Sequence, residues 1–343
     1  MAAQTNAPLP DGMQMSGYTL IKKISSGGFS IVYLAEDAEG QRFAIKEYLP
    51  STLVKRDPGQ LVPAISTENL ATYRNGLKCF FEEGRALARI LHPNVVRVVN
   101  FFRANETVYM VMAYEEGRSL QELILRNRNR PDKIVISERH VRAVFAQVMN
   151  GLREVHANRM LHLDLKPANI YMRLDGSPTL LDFGAARQTL TADAPKLFPM
   201  YTPGFAAPEL YKKSQQLGPW TDVYSIGASM FACMMGAPPQ PADQRDLNDK
   251  MPALYEQLRE RYSSSLVDLI DACLNLDPLK RPQSVFALQK RLRESDRRAE
   301  PPPAPAPAER GRSVRGWLGA VTGRLGRRTA QGNTTQTRMT GPR

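Results

Sequence analysis

At Gly117 the apolar pattern of this chain changes period. Before it, short runs rich in β-branched and aromatic residues are cut by Gly, Pro, Asn and Asp. After it, apolar residues recur at three- and four-residue spacing over long stretches. Strands gathered at one end and helices at the other restrict the chain to an α+β architecture. A small β-rich lobe joins a larger helical lobe near 113–117.

Within the first lobe, strands are predicted over 18–24, 31–37 and 42–48, with a turn at Glu39-Gly40, and again over 95–102 and 108–114. Between them a helix starts near Leu77, carries Phe80, Phe81, Leu87, Ile90 and Leu91 on one side, and stops before His92-Pro93. In the second lobe Ser119-Leu-Gln-Glu122 is a capping box that opens a helix. Further helices are predicted over 138–158, 221–235 and 254–276. The organisation is a polar, disordered leader over 1–15, a first lobe over 16–114, a second over 115–296 and a tail over 297–343. Residues 50–76 show no sustained period and form a long connection inside the first lobe.

Charge separates the body from the tail. From residue 297 onward ten arginines face two glutamates, which supplies +8 of the chain's net +12. The near-neutral body gives no reason to expect nucleic acid as its partner. In the tail, Val314, Trp317, Leu318, Val321 and Leu325 recur at helical spacing among five arginines over 312–328, behind an Ala-Pro linker at 301–307. That is the pattern of a basic amphipathic helix, suited to an anionic membrane or an acidic protein. Four glycines in the same stretch favour instead a solvated regulatory tail. No run nears the roughly 20 apolar residues of a membrane span, and residues 1–11 lack the features of a secretory signal. Three widely spaced cysteines, Cys79, Cys233 and Cys273, suggest a reducing cytoplasm, with peripheral membrane association available through the tail. Oligomeric state is not legible.

The polar residues that interrupt the apolar pattern form an ordered set. Ile24-Ser-Ser-Gly-Gly-Phe-Ser-Ile-Val32 joins two strands, and Phe43-Ala-Ile-Lys46 puts a lysine on an apolar strand. His162-Leu-Asp-Leu-Lys-Pro-Ala-Asn169 and Leu180-Leu-Asp-Phe-Gly184 follow, then Tyr201-Thr-Pro-Gly-Phe-Ala-Ala-Pro-Glu209, Trp220-Thr-Asp222 and Leu276-Asp-Pro-Leu-Lys-Arg281. Phosphoryl transfer needs these ingredients: phosphates held by backbone amides and cations, oxygen ligands for a metal, and a base beside the acceptor hydroxyl.

From about Tyr18 to Leu292 the set resembles the protein kinases, specifically the eukaryotic-like serine/threonine kinases of bacteria. The resemblance implies the two-lobed kinase fold, ATP and Mg²⁺ (or Mn²⁺) as cofactors, and Ser/Thr hydroxyls of proteins as acceptors, including the chain's own. It assigns Asp164 as the base, Lys166 as a cation for the transferring phosphoryl group, and Asn169 and Asp182 as metal ligands. Lys46, paired with Glu83, would reach the α and β phosphates; Glu82 is the competing partner. Ile24, Gly27, Gly28 and Val32 would cover the nucleotide, Val32 and Ala44 would pack the adenine, and Met112, Ala113 and Glu115 would bind the nucleotide at the junction between lobes. Arg281 is expected to pair with Glu209, and Asp222 to anchor the catalytic-loop backbone.

Three departures stand out. Ser25 and Ser30 occupy two of the three glycine positions of the nucleotide loop, Phe205 replaces a tyrosine, and Leu163 replaces the arginine that docks an activating phosphate in many relatives. A pseudokinase scaffold is therefore the alternative reading. Gly84, inside the helix that carries Glu83, admits two explanations: close packing, or a helix that swings.

Overall fold

The computed structural model describes residues 5–129, 134–183, 201–212 and 216–297. Gly184, Thr189, Thr191 and the 312–328 segment lie outside the described residues.

The N-terminal part is a six-stranded antiparallel sheet. Its strands are β1 (Gln14–Met15), β2 (Tyr18–Gly27), β3 (Ser30–Glu36), β4 (Arg42–Tyr48), β7 (Val98–Ala104) and β8 (Thr107–Ala113), ordered β1-β2-β3-β4-β8-β7. Two short strands, β5 (Val54–Lys55) and β6 (Ala64–Ile65), make a separate hairpin, and helix α1 (Thr67–Leu87) packs on the sheet. Successive residues of a strand point to opposite faces. Lys46 and Glu47 on β4 are thus both buried, but on opposite sides of the sheet.

The remainder is helical apart from β9 (Gly117–Ser119), β10 (Ile170–Arg173) and β11 (Pro178–Leu180), which form a small antiparallel sheet. Its helices are α2 (Leu120–Asn127), α3 (Glu138–Ala157), α4 (Pro208–Tyr211), α5 (Pro219–Met235), α6 (Ala242–Arg245), α7 (Met251–Arg259), α8 (Ser264–Cys273) and α9 (Val285–Arg297). Helix α5 is buried on nearly every face and packs against α3, α8 and α9, which explains its apolar character all round. The helical part is tied to the segment leading into β7 by backbone bonds from Val96 N–H to Leu180 C=O (3.0 Å) and from Leu180 N–H to Asn94 C=O (2.9 Å). No described helix is long and apolar enough to cross a membrane.

Several expectations are corrected. Residues 5–15, read as a disordered leader, are folded: Asn6, Leu9 and Met15 are buried, and Gln14–Met15 pairs with β2. The signal was hidden because the segment is held by partners distant in sequence. Ala7 N–H donates to Arg56 C=O (2.9 Å), Arg56 N–H to Asn6 Oδ1 (2.8 Å), and Leu9 N–H to the Tyr33 hydroxyl (3.0 Å). The 50–76 connection ends at Ser66, whose side chain caps α1 by accepting from Asn69 N–H; the helix thus begins ten residues before Leu77. Its first turns carry polar residues and bury only Tyr73 and Gly76, which masks the period. The helix predicted over 254–276 is two, α7 and α8, separated where Ser263 caps α8.

Close packing accounts for Gly84. A Cβ there would collide with the Phe101 ring and the Met110 side chain, and one at Gly76 with the Tyr48 hydroxyl. Both glycines let α1 approach the sheet.

The outer face of the sheet is closed by a polar cluster. Arg56, from the β5–β6 hairpin, forks onto Glu47 with both side chains 0% exposed. The Tyr33 and Tyr109 hydroxyls donate to the same carboxylate, each at 2.8 Å. Burial and the Glu47 charge push both phenols well above their usual range. A buried pair is costly to break from one side only, because the orphaned charge stays desolvated. Arg56→Met is expected to lower unfolding free energy by about 3–5 kcal/mol in urea melts. The double variant Glu47→Met/Arg56→Met should recover part of that loss; equal stability of Arg56→Met and wild type would overturn this account.

Candidate active site

Between the two regions, residues from several distant segments converge. The first segment is the β2–β3 hairpin, whose ladder runs to Gly27 opposite Ser30 and turns through Gly28-Phe29. Ile24 and Gly27 are exposed along its edge, whereas Gly28 is buried. Val32 lies opposite Lys46, and Ala44 opposite Met112, so these side chains share the sheet face toward α1 and the helical part. At the junction, Ala113 N–H donates to Arg97 C=O (2.9 Å) and Glu115 pairs with Arg173 (3.1 Å).

Lys46 is ion-paired and hydrogen-bonded with Asp182. The expected Lys46–Glu83 pair is not formed: Glu83 sits close enough to feel the Lys46 charge but makes no ion pair. Glu82 is exposed and does not replace it. Burial pushes the Glu83 carboxyl up to about 8, against the pull of Lys46, so near neutral pH it stays largely protonated. The Asp182 side chain is half exposed, and the Lys46 ammonium beside it holds it below the usual carboxylate range. Burial opposes charge on Lys46, but Asp182 and Glu83 together raise its pKa.

The loop of residues 162–169 is held by Asp222 at the start of α5. This fully buried carboxylate accepts from His162 N–H (2.9 Å), Leu163 N–H (2.8 Å) and His156 Nε2 (2.8 Å). Burial favours its neutral form, yet these donors keep it below its ordinary pKa. The two backbone bonds stabilise a strained conformation, because Leu163 has φ +61°. The Leu163 side chain is 5% exposed and apolar, so it offers nothing to a phosphate.

Immediately beyond lies a triangle of side chains. Lys166 Nζ donates to Asp164 Oδ2 (2.6 Å) and to Thr202 Oγ1 (2.8 Å), and Thr202 Oγ1 donates to Asp164 Oδ1 (2.9 Å). Thr202 was not singled out from the sequence, although it lies in a motif that was; a hydroxyl beside Pro-Gly reads as an ordinary turn residue. Asn169 Nδ2 donates to the Asp164 C=O (2.8 Å) and Oδ2 (3.2 Å), which reserves its amide oxygen for another partner. The His162 ring stacks at 4.5 Å on buried Phe183, and burial keeps that imidazole neutral. Farther off, the predicted Glu209–Arg281 fork is present at 2.7 and 3.0 Å with both side chains 0% exposed, and Thr221 also donates to Glu209 (2.9 Å).

The Glu83 shift carries a pH signature. The folded chain retains this proton to about pH 8, whereas an ordinary carboxyl releases it near 4.5. Between those values the folded state binds more protons than the unfolded, so this group makes stability fall as pH rises. Glu83→Gln lacks that titration. Its melting temperature relative to wild type is expected to climb from pH 5 to pH 8; a constant difference across that window would refute the assignment.

The chain is similar to known proteins over most of its length. The family model for the protein kinase domain matches residues 18–292. Among curated proteins, a probable serine/threonine-protein kinase KIN1 homolog of Enterocytozoon bieneusi is 27% identical over 280 residues, covering 79% of this chain and 42% of that protein. The serine/threonine-protein kinase STE20 of Candida glabrata is 27% identical over 281 residues, covering 79% and 27%. The chain thus spans less than half the length of these curated relatives. Among solved structures, PpkA-294 in its apo form matches with a TM-score of 0.71 and 32% identity, over 83% of this chain and 99% of that one. The kinase domain of Mycobacterium tuberculosis PknI, solved as a point mutant, has the same fold at a TM-score of 0.63 and 20% identity, over 84% and 100%. With the family model covering both regions and the motif side chains gathered at one site, the chain belongs to the protein kinase family.

Proposed function

We propose that this chain is an ATP-dependent serine/threonine protein kinase that acts on protein substrates and on itself. The observation that carries the reading is the Asp164–Lys166–Thr202 triangle beside Asn169 and the Lys46–Asp182 pair. It sets two carboxylates, two cations, an amide and a hydroxyl around a single cleft. Asp164 would orient the acceptor hydroxyl and take its proton as the hydroxyl oxygen bonds to the γ-phosphorus. The bond from that phosphorus to the bridging oxygen of ADP breaks in the same displacement. Lys166 would offset charge on the transferring group, and Lys46, released from Asp182, would bind the α and β phosphates.

Asn169 and Asp182 fit a hard divalent cation. The Asn169 nitrogen is committed to Asp164, which leaves its oxygen, and Asp182 is half exposed and held ionised. Among the described residues no group of three or more His, Cys, Asp or Glu could hold a metal, so phosphate oxygens would complete the shell. Held by Asn169 and Asp182, a divalent cation would supply positive charge to offset that of the phosphates.

Asp164→Ala is expected to lower kcat for transfer of radiolabelled phosphate by roughly 10²–10⁴-fold while MgATP still binds. Equal incorporation by wild type and variant would favour the scaffold reading instead. Because Leu163 cannot pair with a phosphate, the triple variant Thr189→Val/Thr191→Val/Tyr201→Phe should keep kcat/KM within about threefold of wild type. A collapse of activity, together with loss of a mapped phosphosite, would show that a docked phosphate is required.

A further inference from the structure

The carbonyls at the tip of the glycine hairpin are held from outside the hairpin. Gly28 C=O accepts both the Ser51 N–H (2.8 Å) and the Ser51 hydroxyl (3.1 Å), and Phe29 C=O accepts Leu49 N–H (2.8 Å). These bonds carry the β3–β4 pairing past its last ladder pair, Ser30 opposite Tyr48. In a trans peptide the C=O and the following N–H point in opposite directions. Fixing the Gly28 and Phe29 carbonyls toward residues 49–51 therefore turns the Phe29 and Ser30 N–H groups away from that segment. It also removes two carbonyl dipoles from any anion the tip covers.

The donors are themselves immobilised. Leu49 is fully buried, and Pro50 C=O accepts from Leu53 and Val54 N–H (3.0 and 3.1 Å) in a tight turn. Five residues after Ser51, Arg56 is locked into the Glu47 cluster and its backbone is bonded to the 5–9 segment. Residues 49–56 thus run from the fixed cluster on the outer face of the sheet to the tip of the hairpin. The hairpin in turn has Ser25 and Ser30 at two positions where the kinase motif has glycine.

We propose that residues 49–56 brace the phosphate-covering hairpin, with Ser51 as the positioning residue that sets the affinity of the site for nucleotide. The proposal rests on the reading of that hairpin as the nucleotide lid. A tip already held in place loses little conformational freedom when nucleotide binds, so a loosened brace weakens binding while the transfer step, governed by Asp164 and Lys166, is spared.

The test uses the full chain with Ser51→Ala, Ser51→Pro and Ser51→Thr, reading KM for ATP, kcat, and the Kd of MgADP by calorimetry. Ser51→Ala removes the hydroxyl bond, and Ser51→Pro removes the N–H bond as well. The expected result is a rise in KM and Kd of roughly threefold for Ser51→Ala and tenfold for Ser51→Pro, with kcat within twofold. Ser51→Thr, which keeps both donors, should return toward wild type. Unchanged KM and Kd in cooperatively folded Ser51→Ala would overturn the brace, as would a fall in kcat at constant KM; Ser51→Ala decides if Ser51→Pro does not fold. Wild-type chain that binds no MgADP would overturn the kinase reading and the brace together, which separates the two failures.

Discussion

The site hangs on one buried carboxylate. Asp222 sits at the start of a helix enclosed by the rest of the C-terminal region, and it accepts the N–H groups of His162 and Leu163. Without those bonds a leucine at φ +61° would relax, since such strain costs on the order of 1–3 kcal/mol and persists only where the surroundings impose it. The consequence of that turn is directional. It delivers Asp164 to Lys166 and Thr202, and through Asp164 it orients the amide of Asn169. Precision at the cleft thus comes from the most enclosed helix of the C-terminal region, as a preorganised electrostatic site requires.

The sheet contributes on both of its faces. Lys46 and Glu47 are neighbours in sequence and opposites in space. Lys46 meets Asp182, whereas Glu47 gathers Arg56, Tyr33 and Tyr109. The second cluster has no chemistry of its own, but it fixes the segment that grips the glycine hairpin and the N-terminal residues that cover the sheet. Charge at the two clusters is handled differently. The buried fork at Glu47 is fully partnered and permanent. Lys46 faces two carboxyls, one half exposed and ionised, the other pushed toward its neutral form. Such a cation can change partners when the charge around it changes.

Much of this was legible in the sequence because short motifs encode local geometry. A β-rich run after the Glu39-Gly40 turn sufficed to locate β4, and the His162–Asn169 run, the Asp182-Phe183 pair and the Glu209–Arg281 fork each reported their own chemistry through residue type and spacing. Failures came where long-range partners decide. Residues 5–15 look disordered until Arg56 and Tyr33 are brought against them. Thr202 looks like a turn residue until Asp164 arrives, 38 positions away in sequence.

What the sequence by itself determined, then, was the inventory: an α+β division at Gly117, the residues proposed to bind phosphate and metal, and the order in which they occur. Only the tertiary structure decided which of them meet. Lys46 meets Asp182 and not Glu83: the Lys46 charge holds the Asp182 carboxyl low against burial, whereas at Glu83 burial outweighs that same charge.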